Sequence, residues 1–345
     1  MYVFNRFEFG QHRSILRRRG CRNCARGRAP VAAALQHLQV FLLLAAFCAS
    51  LIFSSGAQAA SSLELLVLGS GGPGATGRAS SAYLLLLDGK PRILVDAGPG
   101  SFARLGEVGE SLAQTDIVLL THLHIDHVGE LPGLFKARAV SSNGPISFKI
   151  WGPDGAAATA DSAYFPSTRR FIELLFGPQG AFAYVRDFAA PMTLENHDFA
   201  TRSTASAGPH VIHEEPGLSI SAIAGHHGDA PAVIYRVDHA GKSITFSGDI
   251  DATGLPGLQR IARNTDILVF NTVVLDPPAS APILYTLHTP PKKIGELARD
   301  AGVRLLLLSH LSPATIEMND AVVDSIRQSY TGKVQAAQDG MRIEP

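Results

Sequence analysis

Between positions 122 and 127 the chain reads His122-Leu123-His124-Ile125-Asp126-His127, which places four metal-ligand side chains within six residues. Imidazole and carboxylate together suit a borderline divalent ion such as zinc. Alternate residues of an extended loop point to one side, so His122 and His124 can grip one metal. Asp126 and His127, where the chain turns into a helix, can then approach a second metal nearby. Solvated loop residues rarely cluster this tightly without a metal.

Further residues of the same chemistry follow apolar runs. Asp249 stands just past Ser243 to Phe246, and His310 just past Arg304 to Leu308. Sites in layered α/β proteins gather at such strand ends. In Gly225-His226-His227-Gly228 the adjacent histidines cannot both easily face one metal. Either could be the ligand, the other then being a pocket histidine. His288, in Leu287-His288-Thr289-Pro290, opens a helix, and an imidazole titrating near neutrality is able to donate a proton. Its plainer alternative is a water-exposed helix-start residue. His197, His210, His213 and His239 belong to no motif and read as surface or loop residues.

These groups need a scaffold. Short apolar runs at Leu63 to Leu68, Ala82 to Leu87, Arg92 to Val95, Asp116 to Leu120 and Phe148 to Trp151 predict strands buried on both faces, with a helix from Glu130 to Val140. A second series at Leu218 to Ala224, Ala232 to Val237, Ser243 to Phe246, Asp266 to Phe270 and Arg304 to Leu308 predicts more. Helices are expected at Pro290 to Ala301 and Ala314 to Tyr330, the first opened by a proline where a missing N–H costs nothing. The expected fold class is α/β, an αββα sandwich of two mixed β-sheets flanked by helices. Residues 155–217 show little periodicity and scattered aromatics, and are expected to form an irregular insert that shapes the substrate pocket.

The run Thr121-His122-Leu123-His124-Ile125-Asp126-His127 resembles the T-H-x-H-x-D-H signature of the metallo-β-lactamase superfamily. The resemblance extends over nearly all of the chain after residue 60. Leu68-Gly69-Ser70-Gly71-Gly72-Pro73, Arg78-Ala79-Ser80-Ser81 and Val95-Asp96-Ala97-Gly98-Pro99-Gly100 are similar to motifs of its ribonuclease Z-like and arylsulfatase-like branch. So are Gly225-His226-His227-Gly228, Phe246-Ser247-Gly248-Asp249 and Leu308-Ser309-His310-Leu311. The resemblance implies that His122, His124 and His227 hold a first metal, that Asp126, His127 and His310 hold a second, and that Asp249 bridges them. It implies two zinc ions, with iron or manganese also compatible with these donors. Asp126 would be ligand and proton acceptor, His288 the acid, and Asp96 and Thr121 would orient the ligand histidines.

The first 59 residues carry eight arginines against the single acid Glu8, then an apolar run from Val40 to Phe53, then Ser54-Ser55-Gly56-Ala57-Gln58-Ala59-Ala60. Basic, apolar, then Ala-x-Ala is the layout of a secretory signal peptide, cleaved near Ala59. The expected domains are therefore a signal peptide over 1–59 and a hydrolase domain over 60–345, and the expected location is periplasmic or secreted, with no stable membrane anchor after cleavage. All three cysteines, Cys21, Cys24 and Cys48, precede that point, so the exported chain would be cysteine-free, as suits an oxidising compartment. Of 30 Lys+Arg and 30 Asp+Glu, 30 − 8 = 22 bases and 30 − 1 = 29 acids would remain, and this acidic balance disfavours nucleic acid.

The expected activity is metal-dependent hydrolysis of a small phosphodiester, sulfate ester or related ester, with a small-molecule ester as partner and no nucleic acid. One alternative is a tRNA 3′-processing endonuclease of ribonuclease Z type. Phe270-Asn271-Thr272, where that pattern has a glutamate, and the lack of a distinct Gly- and Lys-rich arm weigh against it. Another is a protein that keeps the metals for binding alone.

Overall fold

The computed structural model describes residues 62–74, 76–202 and 208–345. The basic and apolar leader, with its three cysteines and the expected cleavage point, lies outside the described residues. Two seven-stranded sheets dominate. The first runs β14-β1-β2-β3-β4-β5-β6 and is built from β1 (Leu63–Gly69), β2 (Ala82–Leu87), β3 (Lys90–Val95), β4 (Ile117–Leu119), β5 (Ile146–Pro153), β6 (Met192–Phe199) and β14 (Arg342–Ile343). The second runs β13-β12-β11-β10-β9-β8-β7, from β7 (His210–Glu215), β8 (Leu218–Ala224), β9 (Val233–His239), β10 (Lys242–Phe246), β11 (Ile267–Asn271), β12 (Leu305–Ser309) and β13 (Lys333–Ala336). Each sheet is mixed. Strands β3 to β6 are mutually parallel and β1 to β3 antiparallel. Strands β10 to β13 are parallel, and β7 to β10 antiparallel.

The helices are α1 (Ser101–Glu107), α2 (Ile125–Val128), α3 (Leu131–Val140), α4 (Thr168–Phe176), α5 (Leu255–Ile261), α6 (Pro291–Asp300), α7 (Pro313–Glu317) and α8 (Asn319–Arg327). Strand alternation explains the layers. Leu65, Val67, Leu85, Ile93 and Leu119 meet Ile220, Val237, Ile244, Val269 and Leu307 in a core between the sheets. Leu66, Leu68, Leu84 and Val118 face the other way, onto Leu131, Leu134 and Phe135 of α3 and Ile172 and Phe176 of α4. Leu268, Phe270, Leu306 and Leu308 likewise face Leu258 of α5, Ile294 and Leu297 of α6, and Val322 and Ile326 of α8. Strands buried on both faces read as continuous apolar runs, which is why they were legible. The result is the expected αββα sandwich.

The structure corrects two expectations. The described residues of 155–217 are not irregular throughout: they include α4, a short helical turn at Ala183–Asp187, and the edge strands β6 and β7. Edge strands need not bury both faces, so polar residues such as Glu195, Asn196, His210 and Glu214 carry no alternation to read. The span Ala314 to Tyr330 is two helices. Ser312 Oγ accepts from Thr315 N to start α7, and α8 begins after Met318, whose φ of −101° and ψ of 27° leave the helical region. Among the described residues no helix is long and apolar enough to cross a membrane.

Candidate metal centre

The parallel strands bring the chemistry to one end of the sandwich. His122 follows β4, Asp249 follows β10, Asn271 ends β11 and His310 follows β12. Two features fix the approach of the loops. At Gly248, with φ of +56°, a Cβ would lie 2.8 Å from Thr121 Cβ, so only glycine lets the two sheets' loops meet. Asp96 and His310 both adopt the left-handed region (φ 55° and 52°) without being glycine, a strain that surrounding structure must hold in place.

His122, His124 and His227 form one group whose ligand atoms lie within 4.8 Å of one another, and Asp126, His127 and His310 form another. His122 Nε2 and His124 Nδ1 are 3.1 Å apart. His310 Nε2 is 3.0 Å from Asp126 Oδ2. Asp249 stands between the groups. Its Oδ2 lies 4.0 Å from His122 Nε2, 3.7 Å from His227 Nε2 and 3.5 Å from His310 Nε2. Its Oδ1 is 3.7 Å from His127 Nε2. All are buried except His124, which is partly exposed.

Other residues orient the ring nitrogens. Asp96 accepts from Thr121 N and Thr121 Oγ1 at 2.8 Å each, and from His127 Nδ1 at 2.8 Å, so His127 Nε2 is left facing the cluster. His227 Nδ1 donates to Leu287 O at 2.9 Å and turns Nε2 inward. Gly72 packs on His310, where a Cβ would come within 2.8 Å of Cε1. His226 does not enter either group. It is half-exposed and its Nδ1 pairs with Asp251 Oδ2 at 2.7 Å.

His288 is buried, not water-exposed, with Nδ1 4.0 Å from Asp249 Oδ2. Of the four histidines outside any motif, His239 is instead buried, bonded to Gly217 O and Asp88. Two residues were not read as part of the site. The Phe165 ring lies tilted against that of His124, with centroids 5.8 Å apart, and Asn271 Nδ2 donates to Asp249 Oδ1 at 2.6 Å. Asn271 was recoverable, because it ends the strand that lies between those leading to Asp249 and His310.

The electrostatics follow from crowding. Burial pushes Asp249 up, but His310 and His127 outweigh it and hold the carboxyl well below the usual range. Burial likewise opposes the Asp126 shift, and the His310 hydrogen bond still brings it down. Burial, reinforced by His127, holds His122 well below an ordinary histidine. For His127 burial works the other way from Asp96 and Asp249, and the two carboxylates win, raising it well above the ordinary value. Burial lowers His288 to about 4.

This donor set fits divalent metals. Buried His127 Nε2, His288 Nδ1 and His310 Nδ1 have no hydrogen-bond partner among the described residues. A buried ring nitrogen without a partner is costly unless it coordinates something. A triad of three histidines and a triad of Asp126, His127 and His310 flank one carboxylate, Asp249, and these donor types suit divalent metal.

Comparison with known proteins agrees with this geometry. The β-lactamase superfamily domain model matches residues 91–311, so the chain belongs to the β-lactamase superfamily. A ribonuclease Z from Mycobacterium avium (strain 104) is 28% identical over 291 residues, covering 82% of this chain and 98% of that protein. The crystal structure of human tRNase Z, short form, matches with a TM-score of 0.60 at 21% identity, over 81% of this chain and 98% of that one. The metallo-β-lactamase fold protein YhfI from Bacillus subtilis matches with a TM-score of 0.59 at 20% identity, over 83% and 100%. The protein is a metal-dependent hydrolase of this superfamily, and it is similar to ribonuclease Z.

One expectation is overturned. A small-molecule ester as partner, with nucleic acid excluded, does not stand beside relatives that are ribonucleases along almost their whole length. The physical flaw lies in the charge argument. Net charge sums the whole surface, whereas a phosphodiester meets only the local field of the centre.

Proposed function

We propose that this protein is a dinuclear zinc-dependent phosphodiesterase that cleaves RNA, in the manner of its ribonuclease Z relatives. The observation that carries the reading is the convergence of both ligand triads on one carboxylate, Asp249. When bound, two zinc ions would activate water near neutral pH and neutralise charge that builds on the attacked phosphorus. Everything else falls to the chain. His122, His124 and His227 would hold one ion, Asp126, His127 and His310 the other, and Asp249 would hold both.

Asp96 and Thr121 keep His127 in the tautomer that presents Nε2, and Leu287 O does the same for His227. Asp126 accepts the proton of the attacking water through its carboxylate. His288, at the edge of the cluster, is placed to give a hydrogen bond to the leaving ribose oxygen. The basic, apolar and small-residue order of residues 1–59 supports export of the domain.

The test is incubation of the zinc-loaded chain with a precursor tRNA bearing a 3′ trailer and, separately, with bis(p-nitrophenyl) phosphate. The reading expects chelator-sensitive cleavage of the RNA at a defined 3′ site, abolished in Asp249→Ala. Turnover of the small diester with intact RNA would refute the substrate assignment, and inertness towards both would refute the activity.

A further inference from the structure

Asn271 is buried, 5% exposed, and its side-chain amide meets Asp249 Oδ1 at 2.6 Å. An ionised carboxylate cannot donate, so the NH2 group of Asn271 faces Asp249. The backbone holds the contact in register. Phe246 pairs with Val269 and Asn271 with Ser309, so the ends of β10, β11 and β12 lie side by side. Asn271 N also donates to Ser247 Oγ at 3.2 Å, two residues before Asp249.

The two oxygens of Asp249 have different surroundings. Ring nitrogens of His122 and His227, from one triad, and of His310, from the other, all approach Oδ2 within 4.0 Å. Oδ1 has His127 at 3.7 Å and the Asn271 amide at 2.6 Å. A hydrogen bond to an ionised acceptor is among the stronger kinds, and it restricts rotation of the carboxylate about its Cβ–Cγ bond. Building on the dinuclear reading above, we propose that Asn271 is a positioning residue of the metal centre: its amide occupies Oδ1 of Asp249 and so commits Oδ2 as the one oxygen shared by both metals.

Two consequences follow from the chemistry of an amide. Asn271 steers Asp249 without adding charge, so the centre stays cationic towards an anionic phosphodiester. It also fixes the spacing of the metals, because one shared oxygen holds two ions closer than a carboxylate that lends each ion its own oxygen. Without the donor, Asp249 is free to turn, and the second metal loses a preorganised ligand. Loss of a group that orients a ligand typically costs about 10–100-fold in metal affinity.

The test uses the full chain titrated with Mn2+, whose paramagnetic resonance reports exchange coupling between neighbouring ions. Asn271→Leu keeps the side chain's shape without a donor, and Asn271→Ala removes it altogether. The unsubstituted chain is expected to bind two ions with a coupled spectrum. In both variants the second ion should bind about 10–100-fold more weakly and the coupling should change or vanish, while circular dichroism is unaltered. A crystal structure of the metal-loaded unsubstituted chain needs no variant, and should show Oδ2 bridging and Oδ1 on Asn271. Both Asp249 oxygens coordinated, or variants that match the parent in affinity and coupling, would overturn this inference alone. A single ion in the unsubstituted chain would overturn the dinuclear reading and this inference with it.

Discussion

Replacing Asp96 by Asn tests whether the ligand rings are held from behind. Asp96 is 1% exposed and its two oxygens accept three hydrogen bonds, Oδ1 from Thr121 N and Oδ2 from Thr121 Oγ1 and His127 Nδ1. Asparagine has one acceptor oxygen. If that oxygen takes the Oδ2 place, the new NH2 faces the Thr121 N–H; if it flips, the NH2 faces His127 and Thr121 Oγ1. Either way a buried donor meets a donor, and the charge that draws the His127 Nδ1–H is gone. A hydrogen bond to a charged group contributes about 1.5–3 kcal/mol. Expressed through the metal, that is about a 10–100-fold loss of affinity at the ion held by Asp126, His127 and His310. Competition titration with a chromophoric chelator measures it, and circular dichroism confirms that the fold survives. Unchanged affinity in a folded Asp96→Asn protein would refute the claim that Asp96 sets the His127 ring.

Gly72→Ala places a methyl group 2.8 Å from His310 Cε1, so it should weaken the same ion's binding by about 10-fold or more, read by the same titration. His227→Ala is expected to remove an ion while His226→Ala leaves metal content at the parental level, since His226 pairs with Asp251 on the rim; elemental analysis of the two purified variants decides. The metal-free chain should lose stability as pH falls from about 6.5 to about 4. His288 is lowered to about 4 by burial, so across this window the unfolded chain takes up a proton that the folded chain refuses. The contribution, fully present above the window, amounts to about 2.5 pH units, on the order of 3 kcal/mol. His127, raised instead, keeps its stabilisation throughout that window and loses it only at higher pH. Urea unfolding of the parent and of His288→Gln at pH 7 and pH 4.5 checks this. The variant should show the shallower pH dependence, and parallel curves would contradict it.

Much of the frame was legible because both sheets are covered by helices. Strands such as Leu63–Gly69 and Leu305–Ser309 bury both faces and so appear as unbroken apolar runs. The same physics hid the edges. Met192–Phe199 and His210–Glu215 pair on one side only and carry Glu195, His197, His213 and Glu214, which no periodicity marks as strand. Helix α5 carries Pro256 and Gly257 in its first turn, and its seven residues are too short for a clear pattern. Within the site, histidines and aspartates at strand ends announced themselves by type. Asn271 did not, because an amide has no distinctive metal chemistry and its meaning lies in the neighbouring strand ends. The charge argument failed for a related reason: a sum over the sequence does not locate a field.

The most direct test of the account is the metal content of the protein as purified and after zinc loading, for the parent and for Asp249→Ala, alongside RNA cleavage. The account predicts about two zinc ions per parent chain, as a two-metal site requires, and loss of at least one ion together with cleavage in the variant. One ion or none in a folded, active parent, or a variant that keeps both ions and its activity, would contradict it.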